Sequence, residues 1–287
     1  MSSYLGTNGI GKLYLGGTEI AKAYLGSSLI YESGGGGGDW GDLERHETVS
    51  ATMSNKLLSS YDDSDYNYDS LSNVGNAYTN STSNYAQIGL AKGASILSYM
   101  YFKWDLSEIP ADATINSVTC VCRATVTNTS ASNVAGRNVG MFCGDTLKGD
   151  YTSITTTATD RTLSVGSWTR AELNDAKIRI AARRGTSNVN TAYYLRMFYA
   201  KLTVEYTYTQ YYYTVKVRNS VTGLTVTPEQ EEYEAGETAT LTFSGLSSGF
   251  TVLDNGTDVT NLLVQDGDNL VYTIADLGEG HRIECKA

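Results

Sequence analysis

Apolar and polar residues alternate along most of this chain, and a period of two predicts strands. The clearest runs are SYMYFKWDL (98–106), INSVTCVCRATV (115–126), NVGMFCG (138–144), KIRIAAR (177–183) and YYLRMFYAKLTVEYTY (193–208). A second series follows: YYYTVKVRN (211–219), ATLTFSG (239–245), FTVLDNG (250–256), LVYTIADL (270–277) and HRIECKA (281–287). Clusters of Gly, Asn, Asp, Ser and Thr separate the runs, and Asp254-Asn255-Gly256 is a strong turn signal. A helical pattern stands out at one place. Thr169 is a candidate N-cap with Glu172 three residues on, so a capping box predicts a short helix over 169–175.

The pattern also divides the chain. Residues 4–33 repeat with a period of ten: YLGTNGIGKL, YLGGTEIAKA, YLGSSLIYES. Each unit supplies a short apolar strand, a turn and a second apolar segment. Three such units are too small to bury a core alone, so they are expected to dock on something larger. The recurring residues are Tyr4, Leu5, Gly6 and Ile10, then Tyr14, Leu15, Gly16 and Ile20, then Tyr24, Leu25, Gly26 and Ile30. Five glycines, Gly34 to Gly38, follow and read as a flexible linker over 34–39. Residues 40–208 read as one two-sheet sandwich of jelly-roll type, and 209–287 as a small immunoglobulin-like sandwich. The expected class is therefore all-β.

Composition sharpens this. Of 287 residues, 22 are Tyr, 29 Gly and only 2 Pro, and charged residues make up 18%. The net charge of −10 argues against nucleic acid, which demands a cationic surface. No apolar run reaches the roughly 18 residues that span a membrane, so no membrane insertion is expected. The first residues lack the basic and apolar regions of a secretory signal. Cys120 and Cys122 lie two apart in one strand and share a face, which suits buried thiols and not a disulfide. Together with Cys143 and Cys285 they read as free thiols of a chain made in a reducing cytoplasm.

Candidate chemistry is sparse. The two histidines, His46 and His281, have no accompanying nucleophile motif. Asp105, Glu108, Asp112, Asp145 and Asp150 lie in or near predicted loops, and a glycosidase needs only two acids. The densest constellation is YDDSDYNYDSLSN (61–73). Asp63, Asp65, Asn67 and Asp69 alternate oxygen ligands, which suits a structural calcium ion or simply a solvated acidic loop. Tyr61, Tyr66 and Tyr68 interleave with them, and tyrosine rings beside hydrogen-bonding groups are the chemistry of sugar recognition. Tyr211, Tyr212 and Tyr213 mark the entry to the terminal unit.

Several of these segments carry a family resemblance. YLGGTEIAKAYLGSSLIY resembles the short N-terminal repeats of virion structural proteins of tailed bacteriophages. YFKWDLSEIPADATINSVTC (101–120) is similar to the core of carbohydrate-module-like β-sandwiches in phage and bacterial surface proteins, and AKLTVEYTY (200–208) to their closing strand. AGETATLTFSGL through NGTDVTNLL to GEGHRIECKA resembles bacterial immunoglobulin-like modules. The resemblance implies a non-enzymatic head fibre, capsid decoration or tail appendage, made in the host bacterial cytoplasm. Residues 1–33 would attach it to other virion proteins, and the β domains would face outward. It implies no cofactor beyond the candidate calcium, and it suggests a homotrimer and host-surface or mucosal glycans as partners. A bacterial carbohydrate-binding adhesin and a glycan-degrading hydrolase are the alternatives.

Overall fold

A computed structural model describes residues 13–15, 18–20, 22–25, 28–32, 40–91, 96–130, 133–185 and 192–287; for 13–32 and 63–66 the description is of the backbone. The chain is all-β. Its helical turns among these residues are α1 (Arg170–Leu173) and the 3₁₀ turns Val74–Tyr78 and Thr260–Leu262. The predicted capping box is present: the Thr169 hydroxyl accepts from the Glu172 N–H, and the Glu172 side chain accepts from the Thr169 N–H.

In the repeat segment, β1 (Leu13–Leu15) pairs antiparallel with β2 (Thr18–Ile20), and β3 (Lys22–Leu25) with β4 (Ser28–Glu32). The ten-residue period is visible in the register: Tyr14 opposes Glu19, and Tyr24 opposes Leu29. Tyr14, Leu15, Ile20, Tyr24, Leu25 and Ile30 thus lie on paired strands, whereas Tyr4, Leu5, Gly6, Ile10, Gly16, Gly26 and the linker 34–39 lie outside the described residues.

The rest forms two compact units, Glu47–Gln210 and residues 40–46 together with Tyr211–Ala287. The first unit is built from β5 (Glu44–Leu57), β6 (Ser60–Asn67), β7 (Ser70–Ser72), β8 (Ala86–Gly89), β9 (Leu97–Lys103), β10 (Thr114–Val126), β11 (Val134–Cys143), β12 (Thr146–Ser153), β13 (Thr159–Leu163), β14 (Ala176–Arg184) and β15 (Tyr194–Asn219). One sheet runs β12-β11-β14-β9-β6. The other runs β13-β10-β15, with β8 and β5 also paired to β15 and β7 to β8. Alternate residues of both sheets meet in one core. Cys120, Cys122, Ala124 and Val126 come from β10, Leu195 and Met197 from β15, Val139 and Met141 from β11, Ile178 and Ile180 from β14, and Met100 and Phe102 from β9.

The strand β15 unites two runs that the pattern predicts separately, 193–208 and 211–219. No Gly or Pro interrupts it, so nothing local ends it. Residues 40–46 begin the middle block in the sequence reading but pack in the unit of 211–287. There the Leu43 carbonyl accepts from the Thr214 N–H at 2.9 Å, and the Trp40 carbonyl accepts from Lys216 Nζ at 2.5 Å.

The terminal unit adds β16 (Thr225–Pro228), β17 (Glu232–Glu234), β18 (Ala239–Ser244), β19 (Thr251–Asp254), β20 (Thr257–Asp258), β21 (Val264–Asp266), β22 (Asn269–Ile274) and β23 (His281–Lys286). One sheet is β16-β18-β22-β21; the other joins residues 212–219 of β15 to β17, β23, β19 and β20. Between them lie Tyr213, Val215, Leu241, Phe243, Val252 and Ile283. The predicted turn links β19 to β20, with Asn255 and Gly256 at φ 46° and 85°, the left-handed pair of a tight hairpin.

All four cysteines are free; Cys120, Cys122 and Cys285 are buried and Cys143 is half-buried. Burial is the main force on the Cys122 thiol. Arg161 opposes it and Asp160 adds to it, and the thiol is pushed up to about 12. The folded state therefore holds a proton that the unfolded chain releases above about pH 9. The thiol's contribution is complete below that pH and is lost as pH rises toward about 12. Stability should fall above pH 9 by up to about 1.4 kcal/mol per pH unit for this thiol. Urea midpoints at pH 8 and 10.5 test this. Cys122→Ala should show a smaller alkaline drop than the parent, and an identical drop would remove the thiol from the explanation.

Candidate functional site

Strands whose inner residues fill the core must present their other residues on the outer face. On the five-stranded sheet of the first unit, those outer residues form one cluster. Ile178 and Ile180 of β14 face the core, so Lys177 and Arg179 face outward. On β9, Met100 and Phe102 point in and Tyr99, Tyr101 and Lys103 point out. The register places Gly140 of β11 and Tyr101 of β9 on either side of Arg179, and Phe142 and Lys103 on either side of Lys177.

The Arg179 guanidinium sits among four rings. Its centre lies 4.3 Å from the centroid of Phe142, 5.4 Å from Tyr151 and 5.8 Å from Tyr99 and Tyr101. The rings form a chain: Tyr99 meets Tyr101 edge-on at 5.8 Å, Tyr101 meets Phe142 edge-on at 5.4 Å, and Phe142 meets Tyr151 at 6.1 Å. Each contact has the geometry that ring quadrupoles favour. Arg179 Nη2 donates to the Tyr151 hydroxyl and Nη1 to the Tyr101 hydroxyl, the latter at 3.4 Å. The Nε hydrogen is buried without a partner among the described residues. No described carboxylate pairs with this arginine.

Gly140 is what lets Tyr151 lean in. A Cβ there would lie 2.8 Å from Leu147 Cδ1 and 3.2 Å from Tyr151 Cδ1, so a side chain would push the ring away. Tyr101 and Phe142 are buried, Tyr99 is half-buried and Tyr151 is 45% exposed, so Tyr151 is the ring most open to solvent. Beside this group, Asp62 is buried and accepts from Lys103 at 3.0 Å and Lys177 at 3.4 Å. Lys177 Nζ also lies 4.4 Å from the Tyr101 centroid. Asp145, fully in solvent, is 4.0 Å from Lys177.

The other sheet holds an arginine with its own carboxylate, although the Arg123 Nε, like that of Arg179, is buried without a partner among the described residues. There Arg123 pairs with Asp160 at 2.9 Å, and Tyr199 donates to the same carboxylate at 2.7 Å. The Tyr199 hydroxyl first, and then Arg123, hold Asp160 below the ordinary carboxylate range. Arg196 lies 4.5 Å from the Tyr85 centroid and donates to Gln87 at 2.8 Å. Both guanidiniums there have a carboxylate or carboxamide oxygen; Arg179 has two phenol oxygens.

The predicted sugar-binding and calcium residues belong to β6, the strand beside β9, and the residues just after it. Residues 61–69, read as an acidic loop, lie largely on strand: β6 covers 60–67, with a register shift between Tyr61 and Tyr66. Positions 63, 65 and 67 share the i, i+2 spacing of that strand, and Asp69 follows it. Tyr61 and Tyr68 are half-buried and pack against the core. The side chains of Asp63, Asp65 and Tyr66 lie outside the described residues. Asn67 uses its amide to donate to the Leu97 carbonyl at 2.9 Å, and Asp69 is exposed. Among the described residues no three His, Cys, Asp or Glu side chains converge as a metal site.

The candidate acids are dispersed into separate contacts. Asp105 caps the Ser107 N–H at 3.1 Å, and hydrogen bonding to Ser107 lowers its pKa. Glu108 pairs with Lys56 at 3.3 Å, and Asp112 accepts from the Thr209 N–H at 3.4 Å. Arg183 is exposed, but Arg184 beside it is buried, 6.0 Å from the Tyr193 ring centroid. In the terminal unit, Tyr213 enters the core, Tyr212 lies under Arg45 at 4.0 Å, and Tyr211 meets His46 at 5.7 Å.

Sequence inspection passed over Arg179, Tyr99, Tyr101, Phe142 and Tyr151. The signal was present as outward positions of predicted strands, but which strands neighbour which is a matter of sheet order.

No protein-family model matches the chain, and no curated protein matches its sequence. No helix among the described residues is long and apolar enough to cross a membrane.

Proposed function

We propose that this chain is a non-enzymatic virion structural protein. Its N-terminal repeat attaches it to other virion proteins, and its β-sandwich is displayed outward to adhere to host-surface or mucosal glycans. The repeat and its glycine linker support the attachment: two of its units form paired strands in the same register, suited to docking on a larger partner. The adhesion reading rests on one observation, the solvent-facing Tyr151 ring at the end of a chain of aromatics. An exposed ring face beside hydroxyl and guanidinium donors is the arrangement that stacks on a pyranose and bonds its hydroxyls.

A binding titration of the full chain against a panel of host-surface and mucosal glycans tests the adhesion reading. Tyr151→Ala should weaken binding about three- to tenfold, the value of one stacked ring, with no change in melting temperature. Saturable binding that Tyr151→Ala leaves intact would move adhesion to another surface, and no binding across the panel would overturn it.

A further inference from the structure

Arg179 has the donors of a carboxylate site and lacks the carboxylate. A guanidinium carries five N–H donors in a planar fork that matches a carboxylate with two parallel bonds. Two of Arg179's donors reach phenol oxygens, one of them at a long 3.4 Å, and no carboxylate among the described residues pairs with it. Burying part of a cation without an anion is costly unless something supplies the anion. An outward arginine of the other sheet, Arg123, has its anion built in, Asp160. Lys177 and Lys103 lie nearby but are matched by Asp62 and Asp145, so Arg179 is the cation left for an anion to meet. We infer that the glycan bound at this face is an acidic one, whose sugar carboxylate is received by Arg179 while its ring lies on Tyr151. This rests on the adhesion reading and adds the class of sugar.

The test compares a uronate- or sialate-bearing oligosaccharide with the same oligosaccharide after chemical reduction of its carboxyl to an alcohol. The full chain is titrated with each at fixed ionic strength. The carboxylated form should bind about ten- to a hundredfold tighter, the value of a charge-assisted bidentate pair. Arg179→Lys and Arg179→Met should erase that preference, while Arg196→Met on the opposite sheet should keep it. The comparison of two ligands on the parent protein needs no variant, so a variant that folds poorly does not decide the result. Equal affinity for both forms, sensitive to Tyr151→Ala, would overturn the acidic-sugar inference and leave glycan adhesion standing. A sulfated analogue that binds as tightly as the carboxylate and is indifferent to Arg179→Lys would overturn it too, since a plain point charge would then suffice. Absence of binding to every form would remove both.

Discussion

Phe102→Ala is expected to destabilise the first unit by about 3–5 kcal/mol, the cost of emptying a fully buried aromatic site. Phe102 lies on β9, opposite Ile178 on one side and Tyr61 on the other, in the core that both sheets share. Alanine removes the ring and leaves a cavity that two interlocked sheets cannot collapse to fill. A domain of this size loses about 2–4 °C for each kcal/mol, so the melting temperature should drop by roughly 6–20 °C. Denaturant unfolding should show a lower midpoint with an unchanged slope. A loss under about 1 kcal/mol would mean that the sheets do not close over this residue. The substitution also probes the site, because Tyr101 and Lys103 alternate with Phe102 onto the outer face. At a temperature where the variant is folded, ligand binding should survive.

Asp254→Ala should cost about 2–5 kcal/mol in the terminal unit, by a different mechanism. Asp254 is buried at the end of β19 and accepts three contacts: Tyr272 OH at 2.9 Å, and His281 Nδ1 at 2.7 and 2.9 Å to its two oxygens. Nδ1 must therefore carry a hydrogen, whatever the charge on the ring. Burial first, and then the hydrogen bond to Asp254, push the Tyr272 phenol above its usual range. Removing the carboxylate strands a buried hydroxyl and a ring N–H, and unsatisfied buried donors cost about 1–3 kcal/mol each. Replacing donor and acceptor together is milder. Asp254→Ala with Tyr272→Phe should cost clearly less than the sum of the two single changes, and chemical denaturation of the four proteins measures the coupling. Strict additivity would mean that the hydrogen bond contributes nothing.

These two experiments also bound the site. The rings around Arg179 stand on β9, β11 and β12, strands of the sheet whose other face carries Phe102 and the shared core, so the site's geometry belongs to a sheet and not to a loop.

Much of the fold was legible in the chain. The alternating runs 98–106, 115–126, 138–144 and 177–183 are strands with ends displaced by a few residues. The capping box and the Asn255-Gly256 turn were readable because both depend only on neighbours in sequence. β5, β12 and β13 were not, since they are polar or exposed along much of their length and carry weak alternation. At 63, 65, 67 and 69, period-two spacing marks a strand face and a ligand-rich loop alike; β6 takes in 63, 65 and 67, and Asp69 follows it.

Local pattern thus determined the all-β class, the short helix, the hairpin turn, the short paired strands of the repeat and the free thiols of Cys120 and Cys122, because each is set by contacts within a few residues. Sheet order and register are set by which hydrophobic faces bury one another across a hundred residues or more. They alone bring Tyr99 and Tyr101 of β9, Phe142 of β11 and Tyr151 of β12 around Arg179 of β14. Among the described residues that arginine meets phenol oxygens where Arg123 meets Asp160, and the acidic-sugar proposal rests on that difference.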